Sequence, residues 1–308
     1  MKFVPECLPC FLDDIAGALD MLHVPPDKSM AVLRESLVYL SDHIAEGMPP
    51  SYYITGLHRI LKRRLAMDMP FAGLRRACLK AGMEIARTVE KKASALKGAG
   101  RFRFLLRWAT AANSLDFRTA GAGYGLSTKR AEKTIAGYFK KGLFIDQSDR
   151  ILAAAKAAKA IVYIPDNVGE LPFDKLLIGL LSSYGAAVTV PLRGGPITSD
   201  AVMADAEAAG MKGVASRLIL AGPDTLGISF MEMSGELSGA LSHADMVIAK
   251  GQANYYVLSE FGHRYPGATI ACLFTAKCKN VWDKFGCEGK ASIAAIIQNA
   301  AKNRGKSL

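Results

Sequence analysis

Oxygen-bearing side chains cluster in one short stretch of the chain, directly after an apolar run. The run Ile161–Ile164 ends at Pro165, and Asp166, Asn167 and Glu170 follow before apolar residues resume. This order is typical of a strand that ends where a helix begins, and open α/β sheets bind ligands beyond the carboxyl ends of their strands. Asp166 and Asn167 could equally form a plain turn, because both residue types favour turns.

Polar groups of a complementary kind follow three later apolar runs. Asp200 lies in a turn after the second run, Lys250 and Gly251 follow the fourth, and Lys277 follows the last. Two carboxylates with an amide oxygen make a hard oxygen shell that suits magnesium or manganese, and the lysines would then face a phosphate bound to that metal. Each residue also has a structural interpretation, with Asp200 as a helix cap and the lysines as exposed loop residues.

The elements that would position these groups alternate from Lys156 onward. Apolar runs recur between helical segments, which predicts βαβ units and a mostly parallel sheet. The predicted strands are Ile161–Ile164, Ala186–Val190, Leu218–Ala221, Met246–Ala249 and Ala268–Phe274. The last piece, Ser292–Lys302, is predicted to be an amphipathic helix.

The first half of the chain has the apolar spacing of helices. The predicted helices are Phe11–His23, Ser29–Ala45, Tyr53–Met67, Pro70–Lys97, Phe102–Asn113 and Ser127–Lys141. We therefore predict an α/β protein with a helical amino-terminal domain (1–120), a connecting segment (121–155) and a Rossmann-like, three-layer α/β/α domain (156–308). Asn113 and Asp116 end a helix of the first domain and could cap it or shape the site.

Composition narrows the function classes. With 308 residues, of which 50% are hydrophobic, the chain can bury a sizeable core. The formal charge of +11 suggests a nucleic-acid partner, but the basic residues fall on segments that resemble amphipathic helices, where solvated faces explain them. A basic surface would equally favour small phosphorylated anions. Neither a long apolar span nor a signal-peptide pattern is present, so a cytoplasmic protein is expected.

The six cysteines are expected to be reduced thiols. Cys7 and Cys10 form a CxxC pair, which lacks the second pair of a typical zinc site. Together with Cys278 they could form a redox-sensitive or metal-binding cluster, or they could be small buried hydrophobic residues.

The chain resembles the damage-control phosphatase family, first catalogued as domain of unknown function eighty-nine, over nearly its whole length. The resemblance rests on Cys7-Leu8-Pro9-Cys10, ANSLDF (112–117), LFID (143–146), YIPDNVGELPFDKLLI (163–178), RGGPITSDAVMADA (193–206), KGQANYYVLSE (250–260) and AKCKNV (276–281). The CxxC pair with Lys277-Cys278 resembles the subfamily of archaea and some other microbes. Val168 and Gln252-Ala253 depart from the usual pattern without touching a proposed ligand.

The resemblance implies a site and a reaction. It implies metal ligands at Asp166, Asn167 and Asp200, for manganese or, as substitutes, nickel, cobalt or magnesium. It implies a phosphate-binding segment at Lys250, Gly251 and Asn254, a substrate lysine at Lys277, and an acid near the substrate at Glu170. The implied activity is hydrolysis of small phosphorylated metabolites, sugar phosphates or phosphopantetheine-like compounds.

Within that reaction Asp166, Glu170 and Lys277 are the catalytic candidates. Either carboxylate could orient the attacking water, and the lysine would stabilise phosphoryl charge. Two other hypotheses stay open, an S-adenosylmethionine-dependent carboxyl methyltransferase and a basic phosphate- or nucleic-acid-binding protein. Manganese dependence would separate the phosphatase from both. The sequence does not indicate an oligomeric state.

Overall fold

The first part of the chain is helical. The computed structural model describes residues 1–44, 47–116 and 128–300. Pro26 and Pro50 stand in the first turns of two helices, where a missing N–H costs nothing. The five predicted helices of this part are confirmed, with ends shifted by a few residues. They are α1 (Cys7–Met21), α2 (Pro26–His43), α3 (Pro50–Leu65), α4 (Ala72–Ser94) and α5 (Gly98–Ala111).

Helices and strands alternate in the second part, as predicted. The helices are α6 (Thr128–Lys141), α7 (Ser148–Ala157), α8 (Leu171–Ser183), α9 (Met203–Ala208), α10 (Gly235–Ser242), α11 (Gln252–Phe261) and α12 (Lys279–Phe285). The strands are β1 (Ile145–Asp146), β2 (Ala160–Ile164), β3 (Ala187–Arg193), β4 (Arg217–Gly222), β5 (Met246–Lys250), β6 (Thr269–Ala276) and β7 (Ala291–Gln298). The five predicted strands are therefore confirmed.

The strands form one seven-stranded sheet in the order β1-β7-β6-β5-β2-β3-β4. Neighbouring strands run parallel except β6 and β7, which are antiparallel. The chain extends from β2 through β3 to β4 on one side and then places β5 on the other side of β2. The switch point of this doubly wound order lies between β2 and β5, and the crevice at their carboxyl ends is the expected ligand position.

The prediction of a terminal helix at Ser292–Lys302 is wrong, because β7 occupies most of this segment. Residues 301 and 302 lie outside the described part of the chain. Residues 291–295 are all buried, and they pair with β6. A segment whose residues are all buried shows no alternation of apolar and polar residues, so its sequence does not distinguish a strand from a helix. β1, which was not predicted, is only two residues long and pairs with β7.

Alternate residues of β2 face two different cores. Ile161 and Tyr163 pack with α5, α7 and α8, whereas Val162 and Ile164 pack with α10 and α11. Successive strand residues point to opposite faces, so the sheet is covered by helices on both sides. The predicted Rossmann-like three-layer α/β/α arrangement is confirmed.

The helical part is built onto this sheet. Helices α1, α2 and α3 share a core of their own, and α4 and α5 pack against α8. Helix α4 approaches the end of β2 backbone to backbone: a Cβ on Gly82 would lie 2.3 Å from the carbonyl oxygen of Gly169. The predicted domain limits stay a prediction. The limit at 120 lies outside the described residues, and β1 joins the sheet from the segment predicted as a connector.

Within the described residues, no helix combines the length and apolar character needed to cross a membrane.

Candidate metal and phosphate site

Two chain segments meet beyond the carboxyl end of β2. The backbone N–H of Val168 donates to Ser199 O (2.8 Å), and that of Ala201 donates to Asp166 O (2.8 Å). Asn167 and Asp200 form an isolated antiparallel bridge between these bonds. The three predicted metal ligands therefore lie side by side, although Asp200 follows Asp166 and Asn167 by more than 30 residues of chain, and all three are buried.

Amide groups connect the carboxylates of this site. Asn113 Nδ2 donates to Asp166 Oδ2 (2.9 Å) and to Glu170 Oε1 (2.8 Å), and Asn167 Nδ2 donates to the same two oxygens at 2.9 and 2.6 Å. The Asn113 side-chain oxygen accepts from the backbone N–H of Thr275 (2.9 Å). Asn113 therefore ties the helical part to β6 and to the residues that follow β2, and its role in shaping the site stays a prediction.

Asp200 is held by two arginines that the sequence analysis did not single out. Arg193 Nε, wholly buried, donates to Asp200 Oδ2 (3.1 Å), and the backbone N–H of Gly227 donates to the same oxygen (2.8 Å). Arg75 of α4 reaches across to donate to the backbone oxygens of Thr198 (2.7 Å) and Asp200 (2.9 Å). Arg193 precedes Asp200 by seven residues in the same turn motif, so the sequence contained a signal for this contact. The contact of Arg75 depends on how α4 packs and has no such signal.

Lys250 lies in a sealed ion-pair network. Its ammonium donates to Asp174 Oδ1 (2.8 Å) and to Glu170 Oε2, and Tyr163 Oη donates to Asp174 Oδ1 (2.7 Å). The side chains of Lys250, Glu170 and Asp174 are 0% exposed. Burial lowers the pKa of Lys250, but the two carboxylates raise it more, so the ammonium stays charged. Burial raises the pKa of Asp174 to about 6, although Lys250 lowers it.

Lys277 differs from Lys250 in exposure and in its partner. Its side chain is 20% exposed, and its ammonium donates to Asp116 Oδ2 (2.7 Å). Burial lowers the pKa of Lys277, but Asp116 and Asp166 raise it more. Ser199 Oγ donates to the other carboxylate oxygen of Asp116 (2.9 Å). Of the two lysines, Lys277 is the one whose side chain is partly exposed to solvent.

The turn after β5 lies directly against Asp166. Gly251 has φ +80°, and a Cβ there would lie 2.0 Å from Asp166 Oδ2, so only glycine fits. Helix α11 begins at the next residue, and the first N–H groups of a helix have no partner within it. Asn254, in this first turn, is fully buried and donates to Lys250 O (2.7 Å), while its side-chain oxygen accepts from the backbone N–H of Ile228 (2.9 Å).

The balance of charge in this site is negative. Five carboxylates, those of Asp116, Asp166, Glu170, Asp174 and Asp200, face the three cations Arg193, Lys250 and Lys277. Burial, together with the charges of Glu170 and Asp200, raises the pKa of Asp166 well above its ordinary value. Burial also raises the pKa of Asp200, which Arg193 partly opposes. Two unbalanced negative charges in a buried place fit a divalent cation.

The donor set determines which kind of metal fits. Among the residues that the structure describes, no group of three or more His, Cys, Asp or Glu side chains is arranged to hold a metal ion. The predicted set contains two such side chains and takes its third oxygen from the amide of Asn167, whose Oδ1 also contacts the Ser199 hydroxyl. Oxygen donors of this kind suit manganese or magnesium better than zinc.

The three cysteines of the predicted thiol cluster lie near one another, at the start of α1 and of α12. Cys7 is buried, Cys10 is exposed and Cys278 is half-buried. Burial raises the pKa of Cys7 and of Cys10, and the nearby Cys278 adds to both shifts. Cys278 Sγ lies 3.6 Å from Tyr256 Oη. Protonated thiols are poor metal ligands and poor nucleophiles, so a role for the cluster stays a prediction.

Comparison with known proteins places the chain in a family. The family model described as the damage-control phosphatase ARMT1-like domain matches residues 3–293. The chain belongs to the damage-control phosphatase ARMT1-like family. The resemblance found in the sequence is thereby confirmed.

Individual relatives match over nearly their whole length. A damage-control phosphatase of Archaeoglobus fulgidus is 29% identical over 304 residues, which cover 97% of this chain and 100% of the relative. A damage-control phosphatase of Pyrococcus horikoshii is 28% identical over 282 residues, which cover 91% of this chain and 93% of the relative. The crystal structure of a DUF89 family protein from Pyrococcus horikoshii superposes with a TM-score of 0.85 at 27% identity, covering 97% of this chain and 100% of that one.

Proposed function

We propose that this protein is a metal-dependent phosphatase that hydrolyses small phosphorylated metabolites, such as sugar phosphates or phosphopantetheine-like compounds. The observation that carries the proposal is the arrangement of two buried carboxylates and an amide oxygen beside Lys277, whose side chain is partly exposed. The relatives named damage-control phosphatases support the reaction type.

Asp166, Asn167 and Asp200 are the residues that would hold the ion, with manganese as the first choice and nickel, cobalt or magnesium as substitutes. Both amide hydrogen bonds to Asp166 fall on Oδ2, so Oδ1 receives neither of them. When bound, a divalent ion polarises a phosphoryl oxygen and lowers the pKa of water. Arg193 and Gly227 fix the rotamer of Asp200 before any ion binds.

The phosphoryl group would lie between Lys277 and the turn after β5. The Lys277 ammonium would neutralise charge that builds up on the phosphoryl oxygens. The first backbone N–H groups of α11, which follow Gly251, have no partner within the helix and would suit an anion. Lys250 would act through Glu170, because its ammonium is enclosed by two carboxylates. A direct phosphate contact of Lys250 stays a prediction.

The water that attacks phosphorus requires a group to orient it. Glu170 accepts from Asn113 and Asn167 on one oxygen and from Lys250 on the other, so its carboxylate serves mainly to fix those three groups. We therefore assign the orienting role to Asp166, with Glu170 as the alternative. Glu170 then acts as a positioning residue.

The test is a phosphate-release screen over phosphorylated metabolites. The protein is stripped of metal by a chelator and reloaded with one ion at a time. We expect release of inorganic phosphate with manganese, and none after chelation. Asp166→Asn is the matched variant, since it keeps the shape and one acceptor oxygen but loses the charge. No release with any ion, or equal release with and without metal, would overturn the proposal.

A further inference from the structure

A basic groove lies between α6 and the turn that precedes β7. Its volume is 770 Å³, and Thr134 and Tyr138 contribute to one wall. Among the described residues that line it, four are cationic and one is acidic, namely Arg130, Lys133, Lys141 and Lys290, with Glu288 as the acid. The groove is therefore positively charged, whereas the metal and phosphate site has an excess of carboxylates.

Strand register places this groove beside Lys277. In the antiparallel pair of β6 and β7, Ala276 is opposite Ala291. Lys277 follows the first of these residues and Lys290 precedes the second, so the two lysines leave the sheet at the same edge. Neighbouring residues of antiparallel strands have Cα atoms roughly 5 Å apart, which brings the end of the groove next to the candidate phosphate position.

A second contact supports the same placement. Tyr138 lines the groove and is near Lys277: burial raises the pKa of its phenol, and the Lys277 ammonium opposes that shift. Lys141 is anchored across the groove, where its ammonium donates to the backbone oxygen of Lys290 (3.1 Å). Tyr138 is thus a neighbour of both the groove and Lys277.

Exposed lysines on a helix often serve only solubility, and α6 alone would not indicate a ligand. Here cations from two separate chain segments, α6 and the turn before β7, converge on one concavity. Like charges that converge repel each other by up to a few tenths of a kilocalorie per pair, and an anion between them relieves this repulsion. A bound phosphate or carboxylate is the ligand that fits.

We infer that this groove binds a second anionic group, a phosphate or a carboxylate, carried by the substrate whose phosphomonoester is hydrolysed beside Lys277. The inference rests on the proposed function and narrows its substrate class to metabolites with two anionic ends. A hexose bisphosphate is thus preferred over the corresponding hexose monophosphate. Lys133 and Lys290 act as specificity residues that touch the far end of the substrate.

The test compares KM for a hexose bisphosphate and for the matching hexose monophosphate in the manganese-loaded protein. The variant carries Lys133→Ala and Lys290→Ala. We expect KM for the bisphosphate to rise about tenfold and KM for the monophosphate to rise less than about twofold, because only the bisphosphate reaches both lysines. Lys133→Arg with Lys290→Arg keeps both charges and should restore the preference.

The control removes the same charge elsewhere. Lys91 and Lys92 are exposed on the last turn of α4, and the variant with both replaced by alanine should leave the ratio of the two KM values unchanged. An unchanged ratio in the Lys133 and Lys290 variant, or an equal change in the control, would overturn the inference and leave the phosphatase proposal standing. If other metabolites release phosphate but neither hexose compound does with any ion, this inference fails alone. If no metabolite in the screen releases phosphate with any ion, the proposed function fails and this inference fails with it.

Discussion

Two lysines of the candidate site offer a matched test of buried and exposed ion pairs. Lys250→Met and Lys277→Met each replace an ammonium by an apolar side chain of similar length. Lys250 has two carboxylate partners and no exposed surface, whereas Lys277 has one partner and is 20% exposed. We expect the first variant to lose stability and the second to lose activity with little loss of stability.

The magnitudes follow from the two environments. Removing one partner of a buried ion pair costs about 3–5 kcal/mol, since the remaining charges are left without compensation. Lys250→Met leaves Glu170 and Asp174 in that state and should lower the free energy of unfolding by about 4 kcal/mol. A partly exposed pair contributes about 1 kcal/mol or less, so Lys277→Met should cost no more than that.

The cost of Lys250→Met should depend on pH. The pKa of Asp174 is already raised to about 6 with Lys250 present, and it rises further without the ammonium. A carboxyl group whose pKa is higher in the folded than in the unfolded protein destabilises the fold only above its unfolded-state pKa. The cost grows as the pH rises from that pKa to the folded-state pKa. The difference in free energy of unfolding between Lys250→Met and the unaltered protein should therefore be about 2 kcal/mol smaller at about pH 5.5 than at about pH 8.

The assay is urea unfolding followed by far-ultraviolet circular dichroism, at both pH values and without metal. Phosphate release by manganese-loaded protein is measured in parallel for each variant. If Lys250→Met lowers the free energy of unfolding by less than about 1 kcal/mol, or by the same amount at both pH values, the buried ion-pair interpretation is refuted. Full activity of Lys277→Met would refute its contact with substrate.

Three further substitutions test how the site is built. Gly251→Ala should lower the free energy of unfolding by about 3 kcal/mol or more and abolish metal binding measured by calorimetry, because it combines a positive φ with a clash against Asp166. The control is Gly185→Ala, which has φ +93° and open space around it. In the same urea titration it should lower the free energy of unfolding by only about 1–2 kcal/mol. Asp166→Asn should abolish phosphate release. The metal-free variant should be as stable as the unaltered protein or more stable, because a buried charge among other carboxylates is removed. A cooperative loss of structure in this variant would contradict the expectation. Asn113→Ala should cost about 1–3 kcal/mol in urea unfolding, since it leaves the buried N–H of Thr275 without its acceptor, and a neutral result would show that water replaces the amide.

The sequence predicted the parts of the fold that have a clear local pattern. Five strands and their alternation with helices were predicted correctly, since apolar runs are bounded by glycine, proline and charged residues. β7 was not, because its first five residues are buried on both faces and show no alternation. Its pairing with β6 is a long-range contact that a local pattern does not contain.

The same limit applies to the candidate site. Asp166, Asn167 and Asp200 could be proposed together because each follows a predicted strand. The partners of Lys250 depend on how the start of α8 lies against β5. Glu170 directly precedes α8 and Asp174 lies in its first turn, so residues four apart turn toward the same side. That spacing was visible in the sequence, but only the packing shows that this side meets the lysine.

We propose that Asp166, Asn167 and Asp200 together hold the divalent ion at which phosphate binds. Crystals soaked with manganese and inorganic phosphate, measured at the manganese absorption edge, would show where both bind. We expect one strong anomalous peak in contact with side-chain oxygens of these three residues, with phosphate between that peak and Lys277. A peak at another place, or none under conditions in which manganese supports phosphate release, would contradict it.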